Sequence, residues 1–181
     1  VRDAIRWYRR ITYRYPQSRW ARDARSRLEV LVAMLPEAER ESATNLSADE
    51  QLELAQAIAR RHRHKRAMRE FSRVLEMTDP DGPIGCQARL GLGRAAYNGR
   101  KRQRAAKVLD DAARVCDEPD IRAWALYLGG RSKTARGDDH GAIQLYETLE
   151  NEHPTHRLAD DARLRRAQAA LRIGRTGDYR T

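Results

Sequence analysis

Apolar positions in this chain recur at helical spacing, and they come in pairs of helices. The best-defined unit is Pro119–Pro154. From about Ile121 to Ala135, a predicted helix carries Leu126 and the small pair Gly129-Gly130 on one face. The turn Arg136-Gly137-Asp138-Asp139 follows. A second helix, from about Gly141 to Glu152, then places Ala142, Tyr146 and Leu149 at i, i+4 and i+7, which is one face. A mid-helix glycine costs about 1 kcal/mol relative to alanine, so two together imply that another helix packs closely there. Gly137 suits the positive φ on which many helices end. Pro154 cannot continue the second helix.

The same pattern returns along the chain. Ala67, Ala105 and Ala142, spaced 38 and 37 residues apart, each open the apolar face of a second helix. Four residues on stand Phe71, Leu109 and Tyr146, and three further on Val74, Ala112 and Leu149. First helices precede them over about Ala48–Arg61, Ile84–Asn98 and Ile121–Ala135, with Gly93 and Gly130 as small packing positions. The two ends match each other at a constant offset of 138 residues. Ala4-Ile5 aligns with Ala142-Ile143, Tyr8 with Tyr146, Pro16 with Pro154, and Asp23-Ala24-Arg25 with Asp161-Ala162-Arg163. Val1–Tyr15 therefore reads as a second helix, and Ser18–Met34 and Arg157–Ile173 as first helices. Gly174–Tyr179 begins the next turn and helix, so the sequence is expected to be a segment cut at both ends.

One stretch breaks the rhythm. Pro36–Ser47 is polar and too short for a full second helix, so Pro36–Leu46 is expected to be an irregular connection or a short helical turn that bends the array. Ser47 followed by Glu50 has the form of a capping box opening the next helix. The expected organisation is residues 1–35 as the end of one repeat plus the first helix of the next, and 36–47 as a connection. Residues 48–181 follow as three stacked hairpins plus the start of a fourth, in a single solenoid domain. Hairpins repeating every 34–40 residues cannot bury their faces alone and must stack into a superhelix with a concave face. The expected fold is all-α: a tetratricopeptide-like, right-handed superhelical solenoid of antiparallel helix hairpins.

Composition agrees with an all-α core of Ala, Leu, Ile and Val, since 40% of the 181 residues are hydrophobic and only 6% aromatic. No apolar run approaches the roughly 20 residues of a membrane span. No signal peptide is visible, which in a cut segment says little about compartment. Net charge is +10, and 32 of the 36 basic residues are Arg. Turns within hairpins are basic, with Arg61, Arg63, Lys65, Arg100, Lys101, Arg102 and Arg104 as candidates for an edge that meets an anionic partner. Turns between hairpins are acidic, at Asp79-Pro80-Asp81 and Asp117-Glu118-Pro119-Asp120. The competing reading is solvated loops, with acids favourably placed before helix N-termini. A nucleic-acid partner is not expected, because no groove-reading helix, zinc finger or aromatic stacking platform accompanies the charge.

Candidate chemistry is sparse. Cys86 lies near the start of a first helix and Cys116 at the end of its partner. In an antiparallel hairpin those ends are neighbours, as a disulfide with Cα atoms within about 7 Å requires. Such a bond would place the chain in an oxidising compartment, such as a bacterial periplasm; the alternative is two unrelated buried thiols. No metal site is expected, since no further Cys or nearby His completes a ligand set. His62 and His64 sit in a turn, and His153 and His156 flank Pro154. No cofactor is expected, and nothing singles out a catalytic acid–base pair. Trp7, Trp20 and Trp124 suit either sugar stacking or packing between repeats.

Several stretches together resemble the superhelical, non-catalytic region of periplasmic soluble lytic murein transglycosylases. They are Gln87–Leu109 (QARLGLGRAAYNGRKRQRAAKVL), Ala125–Arg131 (ALYLGGR) and Ala142–Ala162 (AIQLYETLENEHPTHRLADDA), with the similar Gln51–Leu75. These motifs are shared with tetratricopeptide envelope proteins generally. In that family a separate lysozyme-like domain cleaves the glycan with a catalytic Glu that precedes a Ser, followed by a Gly-Leu-Met-Gln-type segment. Glu41-Ser42 is the only such pair here and no such segment follows it, so no catalytic residue carries over. The resemblance implies a periplasmic scaffold that positions peptidoglycan strands. The alternatives are an adaptor gripping peptides of envelope proteins and, third, a cytoplasmic repeat regulator. Oligomeric state is not legible.

Overall fold

The structure is a computed structural model and describes residues 1–174. Gly174 ends the described chain, so the expected next turn and helix over 175–179 lie outside the described residues.

Ten helices follow one another among the described residues. They are α1 (Arg2–Arg14), α2 (Trp20–Ala33), α3 (Glu37–Thr44), α4 (Ala48–Arg60), α5 (His64–Met77), α6 (Pro83–Asn98), α7 (Arg102–Val115), α8 (Pro119–Thr134), α9 (Asp139–Glu152) and α10 (Ala159–Arg172). From α4 onward the order is regular. Hairpins α4–α5, α6–α7 and α8–α9 stack in sequence, and α10 packs on α9 as the next first helix. Helices α6 and α8 both open with proline in the first turn, where its missing N–H costs no bond. The first helices touch one another directly, α4 with α6 and α6 with α8, whereas the second helices stand further apart. The array therefore curves with its first helices on the inside.

One core runs from Leu52 to Ala162 without interruption. Its repeating joint is a large side chain of a second helix set against a glycine of a first helix. A Cβ at Gly130 would lie 2.6 Å from Tyr146 Cε1, one at Gly93 2.5 Å from Leu109 Cδ2, and one at Gly91 2.4 Å from Phe71. Ala67, Ala105 and Ala142 are fully buried and let the paired helices approach. Burial pushes the Tyr146 hydroxyl up to about 12. Pro154 is exposed just beyond the end of α9.

The first three helices depart from this order. The expected irregular stretch contains α3, eight residues long and without a buried side chain. A helix so short cannot cover the face of α4, and α1 packs there instead of α2. The junction is ionic. Arg14 Nε reaches Glu53 at 2.6 Å and Arg9 Nη2 reaches Glu50 at 2.9 Å. Arg9 Nη1 also donates to the carbonyls of Ser42 and Ala43, near the C-terminus of α3. Glu50 completes the capping box with Ser47 as well. Ile5, Val32 and Leu35 form a small core separate from the main one. Trp7 and Trp20 are exposed, each covered by an arginine: Arg10 at 5.6 Å and Arg19 at 4.4 Å.

Candidate functional site: the inner face

The inner face follows from helix periodicity. On α8, Trp124, Tyr127 and Arg131 lie at i, i+3 and i+7, and on α6, Arg94 and Tyr97 lie one turn apart. These side chains interleave across the repeats. The Arg94 guanidinium lies 4.1 Å from the Trp124 ring centroid, and Arg157, from the loop before α10, lies 5.1 Å from the same ring. Arg131 lies 5.1 Å from Tyr97 and 5.7 Å from Tyr127, and Arg102 stacks on Tyr97 at 4.2 Å. Trp124 and Tyr127 meet edge to face at 6.1 Å. The result is a continuous ladder of guanidinium groups and aromatic rings. The Tyr127 hydroxyl donates to Asp161 of α10. Burial pushes it above the ordinary tyrosine value, and its bond to Asp161 adds to the rise.

Among the described residues, Arg94, Arg131 and Arg157 form no ion pair with a carboxylate. Burial disfavours the charge of Arg94, Asp120 opposes that effect, and Arg157 adds to it. Each guanidinium lies close to a ring, which limits its rotation and leaves N–H groups for an incoming acceptor. Beside the ladder is a groove of about 530 Å³, with Gln56, Arg60, Asn98 and Asp120 at its rim and Phe71 and Leu90 in its floor. Asp120 is held by His156 Nε2 at 3.1 Å.

The basic-edge residues of the sequence separate into two roles. Arg102 is tied down, donating to the Tyr97 carbonyl at 2.5 Å and stacking on its ring. Arg61, Arg63, Lys65, Arg100, Lys101 and Arg104 are exposed at the turns of the first two hairpins. Cys86 and Cys116 are both buried, with Cα atoms 5.7 Å apart, and are joined as a disulfide across the open end of α6–α7. Among the described residues, no cluster of three His, Cys, Asp or Glu side chains is placed to hold a metal. No helix there is long and apolar enough to cross a membrane.

The ladder escaped the sequence reading because the contacts that join its repeats, Arg94 to Trp124, Arg157 to Trp124 and Arg131 to Tyr97, link residues 30 to 34 positions apart. A signal was present nonetheless: Arg94 and Arg131 stand 37 residues apart, at the same position of successive repeats.

Residues 124–156 match the tetratricopeptide repeat family. The fold is similar to that of a MamA mutant, at 19% identity over 94% of this chain and 91% of that one, with a TM-score of 0.60. It is also similar to the nearly identical TPR-like repeats of a kinesin light chain from Podosopora anserina. That match has 18% identity over 98% and 90% of the two chains, with a TM-score of 0.62. No curated protein matches the chain. The all-helical array is thus a tetratricopeptide-like solenoid.

Proposed function

We propose that this chain is a protein-binding scaffold that holds an extended segment of a partner along its inner face. Tetratricopeptide-like repeats point to protein partners. The observation that carries the reading is the ladder of Arg94, Arg131 and Arg157 on Trp124, Tyr97 and Tyr127, whose cations have no carboxylate partner among the described residues. A partner carboxylate would meet N–H groups already oriented, which lowers the ordering cost of binding. The test is capture of peptides from an immobilised library. Binders should be lost in Arg94→Glu/Arg131→Glu while helix content is unchanged. Binders retained by that variant would overturn the reading.

The second reading is the one implied by the resemblance to lytic transglycosylases: a non-catalytic region that positions murein strands beside a separate catalytic domain, in the periplasm. It is supported by the Cys86–Cys116 pairing, which fits an oxidising compartment. Trp124 weighs against sugar stacking, since guanidinium groups lie over its ring. Sedimentation with peptidoglycan sacculi over a salt series separates the two. Binding that survives physiological salt favours murein, and release of anhydro-muropeptides by the clean protein would overturn the non-catalytic assignment.

A further inference from the structure

The splaying of the second helices opens a groove of about 680 Å³ on the outer face, between α5 and α7. Lys65, Arg69 and Arg73 line it from α5, and Lys101 and Arg104 from the start of α7. We propose that this groove is a second docking site, for an extended acidic segment of a partner protein with carboxylates at alternate positions.

Charge is the first argument. Several cations at other helix–helix contacts are answered from a neighbouring helix: Arg14 by Glu53, Arg122 by Glu152, Lys133 by Asp110 and Arg166 by Glu150. Among the described residues, Lys65, Arg69, Lys101 and Arg104 pair with no carboxylate. Only Arg73 does, with Glu70 at 2.8 Å. Arg104 Nη2 donates to Ser72 Oγ at 3.2 Å, a bond that crosses the groove and leaves its other N–H groups open. Glu76 is the one acid in the lining.

The third hairpin is an internal comparison. Its turn carries Asp138, which caps α9 by accepting from the Gly141 N–H at 2.9 Å, and Asp139 follows. The equivalent residues of the first two hairpins are Arg63 and Lys101, which form no side-chain cap. The same fold therefore accommodates acids at this edge, and the two hairpins that border the groove carry cations instead.

Spacing names the occupant. Lys65, Arg69 and Arg73 are one helical turn apart, about 6 Å along the axis. Alternate side chains of an extended polypeptide lie on one side at intervals of about 6.6 Å. Three carboxylates at alternate positions can thus meet three cations in register. No aromatic ring lines the groove to stack a nucleic-acid base. Its one large apolar side chain, Met68, is buried and gives a lipid bilayer nothing to receive.

The test uses fluorescence anisotropy with the disulfide-intact protein and a labelled peptide of alternating Glu and Ser. A second peptide of the same composition has its Glu residues in one block, and an oligodeoxythymidylate and anionic phospholipid vesicles serve as competitors. The alternating peptide should bind tighter than the blocked one. R69E/R104E should weaken it about tenfold at low salt, as expected for the loss of two solvent-exposed charge pairs. Circular dichroism confirms that the variant keeps its helices. Equal weakening by R22E/R27E, which changes net charge equally on α2, would overturn the proposal. So would loss by R94E/R131E with retention by R69E/R104E, since that places the peptide on the inner face. Tighter binding of the oligonucleotide or the vesicles would also overturn it.

Discussion

Three inter-helix joints of the array, α5–α6, α6–α7 and α8–α9, rest on a missing methyl group. Gly130 leaves the space that the Tyr146 ring fills, and Gly91 does the same for Phe71. The Tyr146 ring is buried and cannot retreat without disturbing the packed core, whereas Phe71 borders the inner groove. Gly130→Ala gains helix propensity of about 1 kcal/mol. It also forces a clash whose relief costs about 1–3 kcal/mol in a packed core. The expected net result is a lower urea midpoint at an unchanged slope. Gly137→Ala fails for a different reason: nothing lies within 4 Å, but its φ of +80° is strained for any side chain. The periodicity of the chain exposed the first kind of residue, because a large second-helix residue and a small first-helix residue recur in step. It did not expose the fate of Trp7 and Trp20, since their exposure depends on where α2 lies relative to α4.

The turns show how one element can be built in a stable and a less stable way. His62, Arg100 and Gly137 occupy the same place in successive hairpins, with φ of 56°, 58° and 80°. In each, the next N–H bonds back five residues, from Arg63 to Ile58, Lys101 to Ala96 and Asp138 to Lys133. This is the Schellman ending, for which glycine is the favoured residue. His62→Gly and Arg100→Gly should each stabilise the protein by about 1 kcal/mol, read from thermal melts. The junction of α1 with α4 should respond to pH. The hydrogen bond from Arg14 holds Glu53 below the ordinary glutamate range. A lowered folded value means that the contribution is complete above the ordinary value and is lost as pH falls through the lowered one. Hydrogen-exchange protection of α1 should therefore fall on acidification below about pH 4. In Glu53→Gln it should be low already at neutral pH. The sequence marked this region as a break but left its arrangement open. Arginines on α1 and glutamates on α4 do not announce their pairing in a one-dimensional pattern.

At the scale of the molecule, the hairpins from α4 onward were legible because each repeats the same apolar spacing and the same turn. The inner-face ladder was not, because it joins side chains of different repeats; of the outer groove, the turn residues Lys65, Lys101 and Arg104 stood out as basic, but not their convergence with Arg69 and Arg73. The disulfide lies between these limits. It joins the ends of one hairpin across 30 residues, and hairpin geometry alone brings those ends together. Purified, non-reduced protein should resist alkylation at Cys86 and Cys116, and ready labelling of both would refute the bond. Reduction should cost about 3–4 kcal/mol of stability, by the loop-closure entropy of a loop this long.

The clip also sets how the array behaves under tension. Each hairpin contacts only its neighbours, so a solenoid pulled from its ends lengthens one hairpin at a time. The clipped pair α6–α7 cannot follow. Its 30-residue loop, about 100 Å of chain when fully extended, stays locked behind a covalent bond. The molecule is thus an extensible strap with one inextensible link, and a reducing agent would add that length back as a single step.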